Sequence, residues 1–426
     1  MFISQYVLGT SAPLDYMQTF YPAGGKDFHF VESITAVWLA FFCNQTLSSS
    51  LLHTARKTYG RALSLTKNAL QSPESVTKDT TLLTVLLLHL FECLATKDEY
   101  SSLESNMTHI DGAIALIKLR GKEQFRDAIG LRMFLQLSLN ILVQSLHREV
   151  EFPAEFVSLR IYASQFGGAN DMKWQFTDLM VRYARLRSAI RLGECPNSEI
   201  IQVAKQIDCE LLDICTNMPP DWEPVKASPP IQSTTAFLEH CHVYSSHNIR
   251  KTWNTIRLVR ILVNEVIPEY SQKGFAKETF SAAFNQPSQE ASSTIRALLS
   301  DICASVPPYN KEDIEVHLDR AAAHSLIFPL YIVASSASCS RDMRDWIIGK
   351  LEFIGSQMCI PHSIMVKEML DGRKRGNPWG VAAMLGGAPI LLITPVLSEF
   401  REKQPIPRIL TSQELDQTRT SSSSSA

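Results

Sequence analysis

Apolar residues recur at helical spacing along most of the chain, and sustained alternation with a period of two is nearly absent. The clearest helix runs from about Gly130 to His147, with Leu131, Phe134, Leu135, Ser138, Ile141, Leu142 and Leu146 on one face. A second starts after Asp171, a good N-cap, and carries Phe176, Leu179, Met180, Tyr183, Leu186 and Ile190. A third starts after Asn197 or Ser198, carries Ile200, Ala204, Ile207, Leu211 and Ile214, and is stopped by Pro219-Pro220. From Thr234 to Ile267 helical spacing persists without an internal proline, which predicts one long helix or two with a break near Ser245-Ser246. Ser340 or Asp342 caps a further helix with Met343, Trp346, Ile347, Leu351, Ile354 and Met358, bounded by Pro361.

The pattern predicts an all-α assembly of about a dozen helices, joined by loops at 12–27, 152–170, 219–233 and 270–290. Leu51 to Leu70 is similar to half of a tetratricopeptide unit, but no 34-residue self-similarity supports a repeat array. The tail after Thr411 ends in SSSSSA and is expected to be disordered.

Composition narrows the function classes. With 41 Lys+Arg against 43 Asp+Glu, the 426-residue chain has no global basic field to attract nucleic acid or an anionic membrane. Its 18 glycines fall below the usual share of about 7%, which favours helices over turn-rich β structure. The nine cysteines are scattered, no two closer than six residues, as expected of reduced thiols packed as small hydrophobes. No secretory signal opens the chain, and two apolar stretches, Leu82 to Ala95 and Val381 to Leu397, read as soluble rather than membrane-spanning.

No reaction centre emerges. The chain lacks a DDxxD-like carboxylate cluster, a phosphate-cradling GxxxxGK[ST] loop, GxGxxG, HExxH and GxSxG. His240, Cys241, His242 and His247 form the densest set of potential ligands, but on a helix at most two or three could meet one metal. His89 and Glu92 read as a satisfied buried polar pair. Arg182, Arg185, Arg187 and Arg191 spread around their helix and read as a solvated, salt-bridged face. Arg373-Lys374-Arg375 is too short to count as a basic signal. The residues alone thus assign no catalytic, cofactor-binding or metal site and no cofactor.

Several local patterns agree with one family. Phe2-Ile3-Ser4-x-Tyr6-Val7, Ala55-Arg56-x-x-Tyr59-Gly60-x-Ala62-Leu63, Thr80 to Leu94 and His109-x-x-Gly112-Ala113-x-x-Leu116-x-x-Leu119-Arg120-Gly121 follow one another in order. Met218-Pro219-Pro220-x-Trp222-x-Pro224, Trp253 to Val266, Pro329-Leu330-Tyr331, Arg344-x-Trp346, Ile354-Gly355, Ile360-Pro361 and Asn377-Pro378-Trp379 continue it. In this collinear set the chain resembles the regulatory domain of fungal-specific zinc-cluster transcription factors.

Each piece also has a packing role. Gly121 suits a helix stop after Arg120, Gly112 beside Ala113 suits close helix contact, Trp222 suits a loop anchor, and Trp253 and Trp346 suit the core. The resemblance implies an all-α regulatory domain over 1–385, a divergent extension over 386–410 and a disordered tail over 411–426. It implies a non-enzymatic nuclear transcription regulator whose partners are other transcription factors or coactivators. A homo- or heterodimer, a small-molecule effector, control of a secondary-metabolite gene cluster, and no membrane partner go with that reading.

Such factors also carry a cysteine-dense zinc cluster with CxxC pairs that reads DNA. No CxxC occurs here, so the chain is expected to begin inside the regulatory domain and to reach DNA only indirectly. Two alternatives stand beside this: a helical ligand-binding protein or enzyme that reuses the fold, and a truncated gene model with a zinc-cluster exon upstream of Met1.

Overall fold

The computed structural model describes residue 20 and residues 27–46, 48–95, 99–166, 172–228, 237–274, 282–307, 320–372 and 377–385. The Phe2 to Val7 motif, the Asp171 cap, the Arg373–Arg375 triplet and everything after Leu385 lie outside them. The described residues are almost entirely helical, as expected of an all-α protein.

Helices α1 (Phe28–Thr46), α2 (Ser49–Gln71), α3 (Asp79–Ala95) and α4 (Glu99–Arg120) pack as neighbours at the N-terminal end. Arg120 ends α4 with its guanidinium on the Asp79 carboxylate, and Gly121, at φ 54°, supplies the left-handed residue that stops the helix. By contrast Gly112 is exposed with open space beside it; the close approach is made by Ala113, which is fully buried.

Helix α5 (Ala128–Arg148) is buried on all sides: every residue from Met133 to Leu146, the polar Gln136, Ser138, Asn140, Gln144 and Ser145 included, is shielded from solvent. Its length and composition would allow a membrane span, and 89% of that apolar stretch is buried inside the assembly. Asp127 caps it by accepting a hydrogen bond from the Gly130 N–H at 2.8 Å. At its far end Glu149 takes a left-handed conformation (φ 51°), and Val150 N–H bonds back to the Ser145 carbonyl at 2.9 Å.

The segment 152–170 departs from the expected loop. Pro153 serves as an N-cap, and α6 (Ala154–Ala163) follows, burying Phe156, Arg160 and Ala163 at helical spacing. Helices α7 (Met172–Leu192) and α8 (Asn197–Thr216) then appear where periodicity placed them.

Over the described residues 237–246 the chain is not the helix that the spacing from Thr234 predicts. Cys241–Val243 is a short strand, β2, paired antiparallel with β1 (Val225–Ala227) so that Val225 faces Val243 and Ala227 faces Cys241. Ser245-Ser246 is the true helix entry: Ser246 Oγ accepts from Ile249 N–H at 3.2 Å, and α9 runs on from His247 to Gly274. The expected loop at 270–290 shrinks from both sides, because α9 reaches Gly274 and α10 (Ala282–Ala304) tolerates Pro287 in its second turn.

Helices α11 (Arg320–Ser335), α12 (Arg341–Gln357) and α13 (Pro361–Asp371) form the C-terminal group, with Ser340 Oγ accepting from Met343 N–H at 3.2 Å to cap α12. Short α14 (Pro378–Met384) returns the chain to α5: Asn377 donates to the His147 carbonyl at 2.8 Å. Trp379, 2% exposed, sits between Tyr183 of α7 and Phe328 of α11. One contiguous hydrophobic core runs from Phe30 to Leu385.

Candidate functional site

Three of the motif segments meet in one polar cluster. Tyr59 comes from the middle of α2, Glu92 from the last turns of α3 and His109 from the middle of α4. Tyr59 Oη donates to Glu92 Oε1 at 2.5 Å and lies 3.0 Å from His109 Nε2. A phenol has a single proton; with that proton directed at the carboxylate, His109 Nε2–H must be the donor to Tyr59 Oη. The chain of donation is therefore His109 to Tyr59 to Glu92.

Packing holds this chain in place. The Tyr59 ring stacks on Phe91 at 4.3 Å and takes the His109 ring edge-on at 6.4 Å. Burial first, then the Glu92 hydrogen bond and charge, pushes the Tyr59 phenol far above its ordinary value. Burial lowers the His109 imidazole against the opposing pull of Glu92, so the ring is neutral at pH 7. The cluster ties three helices together.

The other sequence-predicted candidates resolve differently. Glu92 goes to Tyr59, and the His89 ring lies 4.0 Å from the Cys93 sulfur. His240, Cys241 and His242 fall on and beside β2 rather than on a helix, with the His240 and His242 rings 5.7 Å apart and His247 opening α9. Among the described residues no three His, Cys, Asp or Glu side chains converge in a way that would hold a metal.

Burial pulls His242 down to about 4, with the Arg257 charge adding to it. Arg257 is occupied instead by Tyr244 Oη at 2.6 Å and Asn254 Oδ1 at 3.2 Å, and Asn254 donates to Ser305 Oγ at 2.7 Å.

Three of the four arginines of α7 form salt bridges, and the fourth holds a backbone carbonyl. Arg182 reaches Glu210 at 2.6 Å, Arg185 reaches Glu151 at 3.6 Å, Arg187 pairs with Glu149, and Arg191 donates to the Glu149 carbonyl at 2.8 Å. Trp222 anchors its loop by accepting at its carbonyl from Trp253 Nε1 at 2.8 Å. Trp253 and Trp346 stand at the edge of the core under Arg257 and Lys350 rather than inside it.

The polar cluster lies wholly inside a recognisable domain. Residues 4–148 match the family model of the Fungal specific transcription factor domain. The match spans a third of the chain, from before α1 to the end of α5, and contains Tyr59, Glu92 and His109. No curated protein and no solved structure matches the chain. The likeness read from the motifs thus holds for this stretch, which is similar to a domain of fungal transcription regulators.

In the sequence Tyr59, Glu92 and His109 stand in three separate motifs with nothing to mark a common role. Their meeting depends on how α2, α3 and α4 cross, which spacing within one helix does not encode. The available signal was a polar residue placed amid apolar neighbours in each helix.

Proposed function

We propose that the protein regulates transcription in the nucleus as a partner-binding regulatory module, and that it reaches DNA through other transcription factors or coactivators rather than through a reader within these 426 residues. On this reading the chain is not an enzyme, and control of a biosynthetic gene cluster is the kind of output it serves.

The observation that carries the reading is an uncommitted apolar seam within the matched domain. Helix α1 buries Phe30, Ile34, Val37 and Ala40 on its inner side. Its outer side carries Phe28 (66% exposed), Val31, Thr35, Trp38 (40% exposed) and Phe42, with Trp38 and Phe42 stacked at 5.6 Å. The spacing of three and four residues along that side is the alternation by which one helix seats against another, and the occupant it fits best is the same helix of a second copy or of a related factor.

Sedimentation of the purified chain tests this. A dimer in the micromolar range is expected, weakened at least tenfold by Trp38→Glu with Phe42→Glu, both exposed enough to leave the fold intact. A strict monomer at all concentrations, or tight sequence-specific binding to DNA by the chain alone in a gel shift, would contradict the proposal.

A further inference from the structure

Helix α2 turns small residues inward and longer ones outward. Ala55, Thr58, Ala62, Thr66 and Ala69 are buried at steps of three and four, where the helix packs on α1 and α3. On the outer side Arg56, Gly60, Leu63, Lys67 and Leu70 follow at steps of four, three, four and three, all exposed, with Lys57 beside them. At the helical rise this ridge is about 21 Å long. Leu63 and Leu70 keep 38% and 42% of their surface in solvent.

The charge on this helix is of one sign. Its 23 residues include four Lys and Arg and no Asp or Glu. Arg61 pairs with Glu32 of α1, while among the described residues no carboxylate lies in ion-pair range of Arg56, Lys57 or Lys67. Cations on other helices are matched: Lys118 by Glu155, Arg182 by Glu210, Lys205 by Glu290 and Lys367 by Asp371. Lys57 and Arg61 stand one turn apart, where like charges repel, so α2 gathers positive charge against its own stability.

Gly60 marks the same face independently. It lies mid-helix with nothing within 4 Å of the place a Cβ would take, and its backbone is not left-handed. Neither packing nor conformation asks for glycine there, and glycine is a weak helix former. What it leaves is a notch between the Arg56–Lys57 pair and Leu63, where another backbone can come close.

Cations alternating with leucines at helical spacing match carboxylates and apolar side chains on a second helix. Phosphates alone would leave Leu63 and Leu70 without a partner, and a net charge of −2 gives a nucleic acid no wider field to follow. We infer that the outer face of α2 docks an acidic amphipathic helix of a partner protein. The partner's carboxylates meet Arg56, Lys57 and Lys67, its apolar side chains meet Leu63 and Leu70, and its backbone comes closest at Gly60. The face shares no residue with the α1 seam. Its consequence for transcription rests on the regulatory reading above, whereas the docking itself is measured on the chain alone.

Fluorescence anisotropy of a labelled synthetic peptide with the full chain tests this. The probe is a helix of about five turns with Leu at steps of three and four and Asp or Glu beside each. One control peptide carries Ser for every Leu, and a short DNA duplex is the second control. Binding in the micromolar range at low salt is expected, weakened about fivefold by Arg56→Gln with Lys67→Gln and about threefold by Gly60→Gln or by the Ser control. These positions are exposed and glutamine is a good helix former, so the melting temperature should hold or rise. Trp38→Glu with Phe42→Glu should leave peptide binding unchanged, which separates this face from the α1 seam. No binding at high micromolar peptide, unaltered binding by the Arg56→Gln, Lys67→Gln variant, or tighter capture of the duplex than of the peptide would overturn the inference.

Discussion

At the scale of single residues, backbone geometry makes the sharpest demands. A Cβ on Gly130 would sit 1.8 Å from the Gln124 carbonyl oxygen, a backbone atom that cannot swing aside. Gly130→Ala is therefore expected to cost about 3 kcal/mol, at the upper end of overpacking effects, as read from urea denaturation. A cost below about 0.5 kcal/mol would mean that the turn before α5 is free to move.

Titration gives a second expectation at this scale. His242 takes a proton near pH 4 in the fold and near its ordinary 6.5 in the unfolded chain. Between those values the unfolded chain binds more protons, so stability contributed by the neutral ring is present above pH 6.5 and is lost as pH falls toward 4. His242→Gln should flatten this part of the stability profile; an unchanged slope would show that the ring is not desolvated.

At the scale of helices, burial decides which ion pairs matter. Arg260 of α9 makes two bonds to Asp208 of α8, at 2.7 and 3.1 Å, in a largely covered setting. Asp208→Asn should cost about 3 kcal/mol by stranding a buried guanidinium. The exposed Lys118–Glu155 pair, screened by solvent, should contribute far less. Equal losses from the two would contradict this account of how α8 and α9 are joined.

Helices were legible in the sequence where an apolar stripe persisted, as in α5, α7 and α8, and where a cap agreed with the stripe, as Ser340 does in α12. They were missed where a proline stood at the entry, as at Pro153 before α6. The misreading at 241–243 has a physical cause: three residues are too few to display a period of two, while Phe237, Cys241 and Tyr244 fit helical spacing equally well. Tyr59, Glu92 and His109 were visible as motif members but not as partners, because 33 and 50 residues separate them along the chain.

At the scale of the whole molecule, the last helix closes what the first ones begin. Trp379 fills the space between α7 and α11, and Asn377 fastens α14 to the end of α5. Trp379→Ala should cost about 4 kcal/mol, as large aromatic truncations in a core do. Because one core joins all the helices, thermal unfolding should lose matched domain and C-terminal group together.

The matched domain, with the apolar seam on α1, and the C-terminal group then belong to one cooperative body. The account's central claim is that this body acts on transcription through a bound partner. The most direct test tethers the chain to a heterologous DNA-binding domain beside a reporter gene in a fungal cell. Reporter output should change several-fold and return to baseline with Trp38→Glu and Phe42→Glu at equal protein level. An output that never departs from that of the DNA-binding domain alone would contradict the claim.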